Sequence, residues 1–476
     1  MIGAAGAGAS AAALLANFAG ADVSGCDRGG PSPYTAALDA VQIHVARSHS
    51  PAHVRRDPPP DRLAVTKALT AIKPDHPELV AARDAGIPLE PWQQVVADAA
   101  FGRRLVAVAG THGKSTTAGW LTHVLVRAGG DPSAFVGALL DAELTGGQPA
   151  TARWGRGPDF VVEADEYAGN FDAYRPSIVA LTSIDWDHPD VFADRAAVVR
   201  TFDAWIRRSI PNRNEQPVLV ANTADAGVAE LVNGLGDWDG RLVRVAVADN
   251  GSGSEADLVA SITGRGQGST TTDLIGLAPD RRSIEARLPT AGRHNVMNAL
   301  VVAATAQVLG LTPDAIVDGL TTFAGVGRRL ERKGEAAGVV VYDDYGHHPT
   351  AIRATMDAIQ QREPGRRLWA VYEPLTYHRT AAFLGAFADV LSTADAVAIA
   401  DIWAGRDRNV RMTSATALAQ AIAKRRPEIP IGAPGNVEAT AAWLASEVRP
   451  GDAVLVMGGG KSYLIGERLL EILRER

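Results

Sequence analysis

The stretch LVAVAGTHGKSTTAGW, residues 105–120, runs from an apolar strand through glycines, a lysine and hydroxyls into a helix. Gly110, Thr111, His112, Gly113, Lys114, Ser115 and Thr116 carry the core of a phosphate-binding loop. Glycines let backbone N–H groups curl around phosphate oxygens. Lys114 can reach the β- and γ-phosphates, and Ser115 can ligate Mg2+. The residue five before Gly113 is Val108, so the spacing departs from the full P-loop pattern; the flanking strand and helix supply the context that the pattern requires. GGGKSY at 458–463 also follows a strand, but it lacks the loop length and the second hydroxyl. It reads as a strand-to-helix turn.

Three charged clusters close apolar strands: Glu163-Ala164-Asp165-Glu166, Asp187-His188, and Asp343-Asp344, which is followed by His347-His348. In doubly wound sheets ligands bind beyond the carboxyl ends of strands. A carboxylate there completes a Mg2+ shell beside the phosphate loop, and Glu163 is the expected one, with His188 as helper or second-metal ligand. GRHNVMNAL, 292–300, reads as the first turns of a helix, where Asn295 can bond a base edge or simply cap the helix. GVGRRLERKGE, 325–335, places Arg328, Arg329, Arg332 and Lys333 at a domain junction, where an arginine can swing onto a γ-phosphate on closure. Near the start, Gly6, Gly8 and Ala11 fit G-x-G-x-x-A, with Asp27 at the distance expected of a ribose-binding acid. That pattern suits a diphosphate at a helix N-terminus, although the strand that should precede the glycines is missing from the sequence.

The elements around these residues predict an α/β protein of three domains. Residues 1–99 form a Rossmann-like unit and 100–324 a central ATPase domain with a mostly parallel sheet. Residues 325–476 form a second Rossmann-like domain, in which strands such as GVVVYDD and DAVLVMGGG alternate with helices. NGSGSEADL and the Gly/Ser/Thr-rich region 264–272 read as loops and hairpins of a small β insertion. With 476 residues the chain is too long for a single core. Its net charge of −7 argues against a general nucleic-acid binder, and local arginines can still bind an anionic substrate. One cysteine, no apolar run of transmembrane length and no basic residue before Arg28 predict a cytoplasmic protein without a disulfide.

Taken together, GTHGKSTT, EADE, DWDHPD, GRHNVMNAL, RRLERKGE, YDDYGHHPTAI and YEPLTYHRT, in this order, resemble the Mur ligases, ATP-dependent ligases of peptidoglycan synthesis. Within the family, GTHGK, DDYGHHPTAI and YHRT are most similar to the branch that joins L-alanine to the lactyl carboxylate of UDP-N-acetylmuramate. The branch that attaches a ready-made tripeptide to the same nucleotide stays open, as does a P-loop NTPase switch without ligase activity. The resemblance implies domains for the UDP-sugar, for ATP and for the incoming amino acid, with ATP and Mg2+ as cofactors. Later ligases of the pathway use a carbamoylated lysine in the central domain. This chain has no lysine between Lys114 and Lys333, which argues for the muramate-using branch.

The resemblance also implies roles. Residues 110–116 cradle the phosphates, Ser115 and Glu163 hold Mg2+, and His188 sits near a second metal. Asn295 contacts adenine with support from His294, Arg329 reaches the phosphates from the hinge, and Asp344 engages the nucleotide after closure. His347, His348 and Arg379 line the amino-acid side, with Arg379 suited to the carboxylate. Gly3, Gly6 and Gly8 match the UDP-binding loop. His188 and His347 are both candidates for accepting the amine proton.

Overall fold

The computed structural model describes residues 1–210, 215–248, 256–405, 407 and 409–476. The expected loop at 250–255 lies outside the described residues.

The largest element is a ten-stranded sheet, in the order Ser283–Leu288, Ser269–Ile275, Leu258–Gly266, Arg241–Ala248, Val218–Asn222, Ile178–Leu181, Arg104–Ala109, Asp159–Ala164, Ser133–Leu140, Ala150–Arg153. The seven strands from Leu258–Gly266 to Ser133–Leu140 run parallel. Their side chains are apolar on both faces, as a sheet covered on both sides demands. Helices Lys114–Arg127 and Arg293–Val308 cover one face through Trp120, Val124 and Leu300. The other face meets Phe202 and Trp205 of helix Arg195–Ile206, and also Leu14 and Leu15 of the first helix, Ala7–Phe18. The predicted β insertion is a hairpin that widens this sheet: Leu258–Gly266 pairs antiparallel with Ser269–Ile275, which pairs with Ser283–Leu288.

In the N-terminal lobe Gly25–Cys26 pairs with Val45–Ala46, and Leu63–Val65 with Leu89–Pro91, all parallel. Ile2 joins the two pieces, bridging to Cys26 and donating its N–H to the carbonyl of Ala64 at 3.0 Å. The strand that the sequence seemed to lack is thus represented by one residue in the middle of the sheet. Gly8 has a packing reason of its own: a Cβ there would lie 2.3 Å from the Trp92 ring. Its lack of a side chain serves the seating of the first helix on Trp92, a correction to its reading as a phosphate-loop glycine alone.

The C-terminal lobe is a six-stranded sheet, Glu331–Ala336, Val339–Asp344, Asp452–Gly458, Arg367–Glu373, Ala396–Ala400, Ile431–Gly435, parallel except for the first strand. GGGKSY is the turn between Asp452–Gly458 and helix Tyr463–Arg474. Among the described residues no helix is long and apolar enough to cross a membrane.

Candidate active site

Strand Arg104–Ala109 ends at Gly110, and helix Lys114–Arg127 begins after Gly113. Gly113 has φ +80°, and a Cβ there would come within 2.4 Å of Asn298 Oδ1, so both the backbone and the neighbouring helix require glycine. The carbonyl of His112 accepts from Thr182 Oγ1 at 2.5 Å, and its N–H donates to Ser183 Oγ at 2.9 Å, which pins the loop to the next strand end. Among the described residues the N–H groups of Gly113, Lys114, Ser115 and Thr116 bond to no protein acceptor. They form the positive end of a 14-residue helix, a ready anion seat.

Strand Asp159–Ala164 lies beside Arg104–Ala109 in parallel register, with Val108 opposite Glu163. That register sets the Glu163 carboxylate at the phosphate loop: Oε1 accepts from Ser115 Oγ at 3.0 Å and Oε2 from the Gly137 N–H at 2.5 Å. Lys114 Nζ donates to the Gly110 carbonyl at 2.6 Å and to Glu166 Oε2 at 3.2 Å, with Asp165 Oδ1 at 3.5 Å. Burial alone would lower its pKa, but Glu166, Asp165 and Glu163 outweigh burial and hold it above the usual lysine range. Glu166 is 1% exposed, and burial pushes its carboxyl up to about 7 despite Lys114.

This shift carries a pH prediction. The folded protein binds the Glu166 proton more tightly than the unfolded chain does, so the contribution to stability is present below the ordinary glutamate range. It falls as pH rises toward 7. In ligand-free protein the stability of Glu166→Gln should gain on that of the parent as pH is raised from about 4.5 to 7; thermal melts across that interval check it, and parallel curves would contradict it.

The C-terminal lobe closes onto this surface. Arg329 Nη2 donates to Ser115 Oγ at 2.9 Å. Its neighbour Arg328 points the other way, donating to Asp343 Oδ2 at 3.0 Å, the Gly458 carbonyl at 2.9 Å and Ser462 Oγ at 2.8 Å. Arg328 and Leu330 adopt positive φ of 58° and 53°, conformations that non-glycine residues hold only where the surroundings enforce them. The hinge therefore anchors one arginine in its own lobe and delivers the next to the phosphate loop. Asp344, expected on the nucleotide, clasps this hinge. Its Oδ2 accepts from the Leu330 N–H at 2.8 Å and its Oδ1 from the Gly346 N–H at 2.7 Å.

Arg379, 4% exposed, donates through Nε to Asp187 Oδ1 at 2.8 Å and through Nη2 to His188 Nδ1 at 3.1 Å. A guanidinium only donates, so His188 Nδ1 accepts. His188 also groups with Asp165 and Glu166 in an arrangement able to hold a cation. Burial would raise Asp187, yet Arg379 and the histidines hold it well below the usual carboxylate range. His347 Nδ1 meets the Tyr345 carbonyl at 2.9 Å, and its Nε2 stands 4.0 Å from Asp187; burial and Arg379 hold it well below the usual histidine range.

Both nitrogens of His348 are spoken for: Nδ1 accepts from the Thr350 N–H at 3.3 Å, and Nε2 lies 3.1 Å from the Trp186 carbonyl, to which it donates. It lines the cleft, caps a helix and bolts that helix to the central lobe. Thr350 Oγ1 adds a second bolt to Asp185 Oδ2 at 2.8 Å.

Asn295 lies outside the cleft wall. Its amide donates to Thr290 Oγ1 and the Ala291 carbonyl, both at 2.9 Å, and its oxygen accepts from Asn298 at 3.2 Å. His294 beside it is held down to about 4 by burial. These bonds brace the chain that enters the helix; the N-cap is Gly292. At the N-terminal lobe, the Gly3 N–H donates to the Cys26 carbonyl and the Gly6 N–H to the Gly3 carbonyl. Asp27 Oδ2 accepts from the Ala5 N–H at 3.1 Å and Oδ1 from Gly29 at 2.7 Å, so the acid stabilises the glycine turn.

All three lobes line one cleft of about 1300 Å³. The central lobe brings Lys114, Ser115, Glu163, Asp165 and His188, and the C-terminal lobe Arg329, Tyr345, His347 and Arg379. The N-terminal lobe contributes Arg28, His49, Lys73 and His76, which sequence reading did not single out. Arg28 carried a signal, following Asp27 directly. The others lie in loops whose approach only the fold reveals.

Comparison with known proteins places this cleft in context. Residues 1–104 match the Mur ligase family catalytic domain, 108–306 the Mur ligase middle domain, and 328–460 the Mur ligase glutamate ligase domain. The chain is 36% identical to a UDP-N-acetylmuramate–L-alanine ligase of Frankia casuarinae, over 99% of this chain and 97% of that one. Its fold matches the crystal structure of UDP-N-acetylmuramate-alanine ligase from Thermotoga maritima with a TM-score of 0.80 at 23% identity, covering 100% and 98%. A murein peptide ligase from Psychrobacter arcticus matches with a TM-score of 0.74 at 25% identity, again covering 100% and 98%.

Proposed function

Because this chain belongs to the Mur ligase family, we propose that its cleft uses ATP to join L-alanine to the lactyl carboxylate of UDP-N-acetylmuramate, a step of peptidoglycan synthesis. The observation that carries the reading is the convergence of all three lobes on one cleft, where a phosphate loop, a hinge arginine and a buried acid–arginine pair face a wall with cationic groups of its own. The tripeptide-adding reaction and a P-loop switch without an acyl acceptor are not favoured by the relatives.

A carboxylate resists amines in water because its leaving group is too poor. Transfer of the γ-phosphoryl group makes an acyl phosphate; the amine then attacks the carbonyl carbon, and the C–O bond to phosphate breaks. The first step brings two anions together, and Lys114 and Arg329 reduce that repulsion. Phosphate oxygens entering the loop take over Lys114 from Glu166. The bolts Thr350–Asp185 and Arg379–Asp187 keep the lobes closed while the water-sensitive acyl phosphate exists. The hard oxygens of Ser115 and Glu163, 3.0 Å apart at the loop, fit Mg2+, with His188, Asp165 and Glu166 beside them for a second ion. Bound Mg2+ supplies neutralisation of phosphate charge. The N-terminal lobe takes the UDP-sugar and the C-terminal lobe the amino acid. A UDP-sugar and ATP as substrates place the protein in the cytoplasm.

The test is ADP formation with ATP, Mg2+ and UDP-N-acetylmuramate, adding L-alanine or the tripeptide L-alanyl-γ-D-glutamyl-meso-diaminopimelate. L-Alanine should stimulate turnover and form the amide, with the tripeptide inert. Turnover with the tripeptide alone, or ATP hydrolysis indifferent to both, would overturn the reading.

A further inference from the structure

In the N-terminal lobe donor atoms from three segments gather around the Glu78 carboxylate. Cys26 ends strand Gly25–Cys26, His49 follows strand Val45–Ala46, and His76 and Glu78 flank Pro77 at the start of helix Pro77–Asp84. Cys26 Sγ lies 3.3 Å from His49 Nδ1 and 3.2 Å from Glu78 Oε2. The same Glu78 oxygen is 3.4 Å from His49 Nδ1 and 3.9 Å from His76 Nδ1. A tetrahedral cation bound at about 2.0–2.3 Å needs ligand atoms separated by roughly 3.3–3.8 Å, close to the spacing found.

Two further observations point to a ligand. His76 is 5% exposed, and its Nδ1 has no hydrogen-bond partner; an unsatisfied buried polar atom is costly unless something binds it. Glu78 is 1% exposed, and its Oε1 is already held by His53 Nδ1 at 2.6 Å and the Ser50 N–H at 3.1 Å. That outer pair orients the carboxylate so that Oε2 faces the other three donors, as second-shell groups do at metal centres. The proposed reaction uses none of the four residues as reacting groups.

We infer that Cys26, His49, His76 and Glu78 form a binding site for one divalent transition-metal cation of the zinc type. One sulfur, two imidazole nitrogens and one carboxylate oxygen as ligands suit Zn2+ or Co2+ and not Mg2+ or Ca2+, which take oxygen shells. The charges balance: a thiolate and a carboxylate offset the dication. Without a metal, burial and Glu78 push the Cys26 thiol up, so binding exchanges the thiol proton for the cation and releases it to solvent. Burial holds His76 below the usual histidine range, leaving it neutral with a lone pair to give. The bound ion ties together a strand end, a loop and a helix start, and through His49 and His76 it stiffens the cleft wall.

Titrating the chelator-stripped, full-length protein with Co2+ tests this. One equivalent should bind with a thiolate-to-cobalt charge-transfer band and tetrahedral d–d bands, displaced by Zn2+ and untouched by excess Mg2+. Cys26→Ser should remove the charge-transfer band, and His76→Ala should keep it while weakening cobalt binding about tenfold or more. Melting in chelator, unchanged in both variants, shows that they fold. Cobalt that binds without the sulfur band, or a Cys26→Ser protein that binds it as tightly as the parent, would overturn the assignment, and so would the absence of saturable binding.

Discussion

Replacing Lys114 by methionine should lower the rate of ADP formation about 10³-fold or more at saturating substrates, the scale on which a single charge aimed at a transferring phosphoryl group acts. The lysine is the cation at the loop itself, and no other lysine occurs between it and Lys333. Lys114→Arg should not restore the rate. The ammonium sits between the Gly110 carbonyl and Glu166 at 2.6 and 3.2 Å, a space shaped for a compact point charge and not for a planar fork. A methionine variant within tenfold of the parent would show that phosphate is bound elsewhere.

The second large effect concerns Arg379. Its guanidinium pairs with Asp187 across the two lobes, both nearly inaccessible to solvent. Truncating one partner leaves a buried charge alone, at a cost of about 3–5 kcal/mol. Because the pair forms only when the lobes meet, that cost falls on closure and should appear as a fall in kcat/KM of about 10²–10⁴-fold for Arg379→Ala. Asp187→Asn should lose comparably, and the double variant should lose little more, so the coupling in the cycle should approach either single loss, about 3–5 kcal/mol. If Arg379 served only the amino-acid carboxylate, its loss would raise the alanine KM and add independently to that of Asp187→Asn.

Local chemistry was legible in the sequence. The phosphate loop is one contiguous turn whose glycines, lysine and hydroxyl announce themselves. Glu163 could be chosen because it ends a strand, and parallel pairing sets it beside the loop. Long-range partnerships were not legible. Arg379 and Asp187 are 192 residues apart, Thr350 and Asp185 165 apart, and no periodicity encodes such encounters. Asp344 is expected on the nucleotide and His348 on the amino-acid side from their place in a charged motif, and each spends polar atoms on backbone groups. That outcome depends on side-chain direction, which spacing does not reveal. Gly8 looked like part of a phosphate fingerprint because the demand of Trp92 comes from 84 residues away. The strand before the glycines of the N-terminal lobe was not legible because it is represented by a single bridged residue, Ile2.

The central claim is that the cleft activates the sugar-linked carboxylate by phosphorylation before the amine attacks. UDP-N-acetylmuramate labelled with 18O in its lactyl carboxylate, turned over with ATP and L-alanine, tests it most directly. The account predicts one 18O in each phosphate released, because the oxygen bridging carbon and phosphorus leaves with phosphorus. Phosphate free of label, with amide formed, would contradict it.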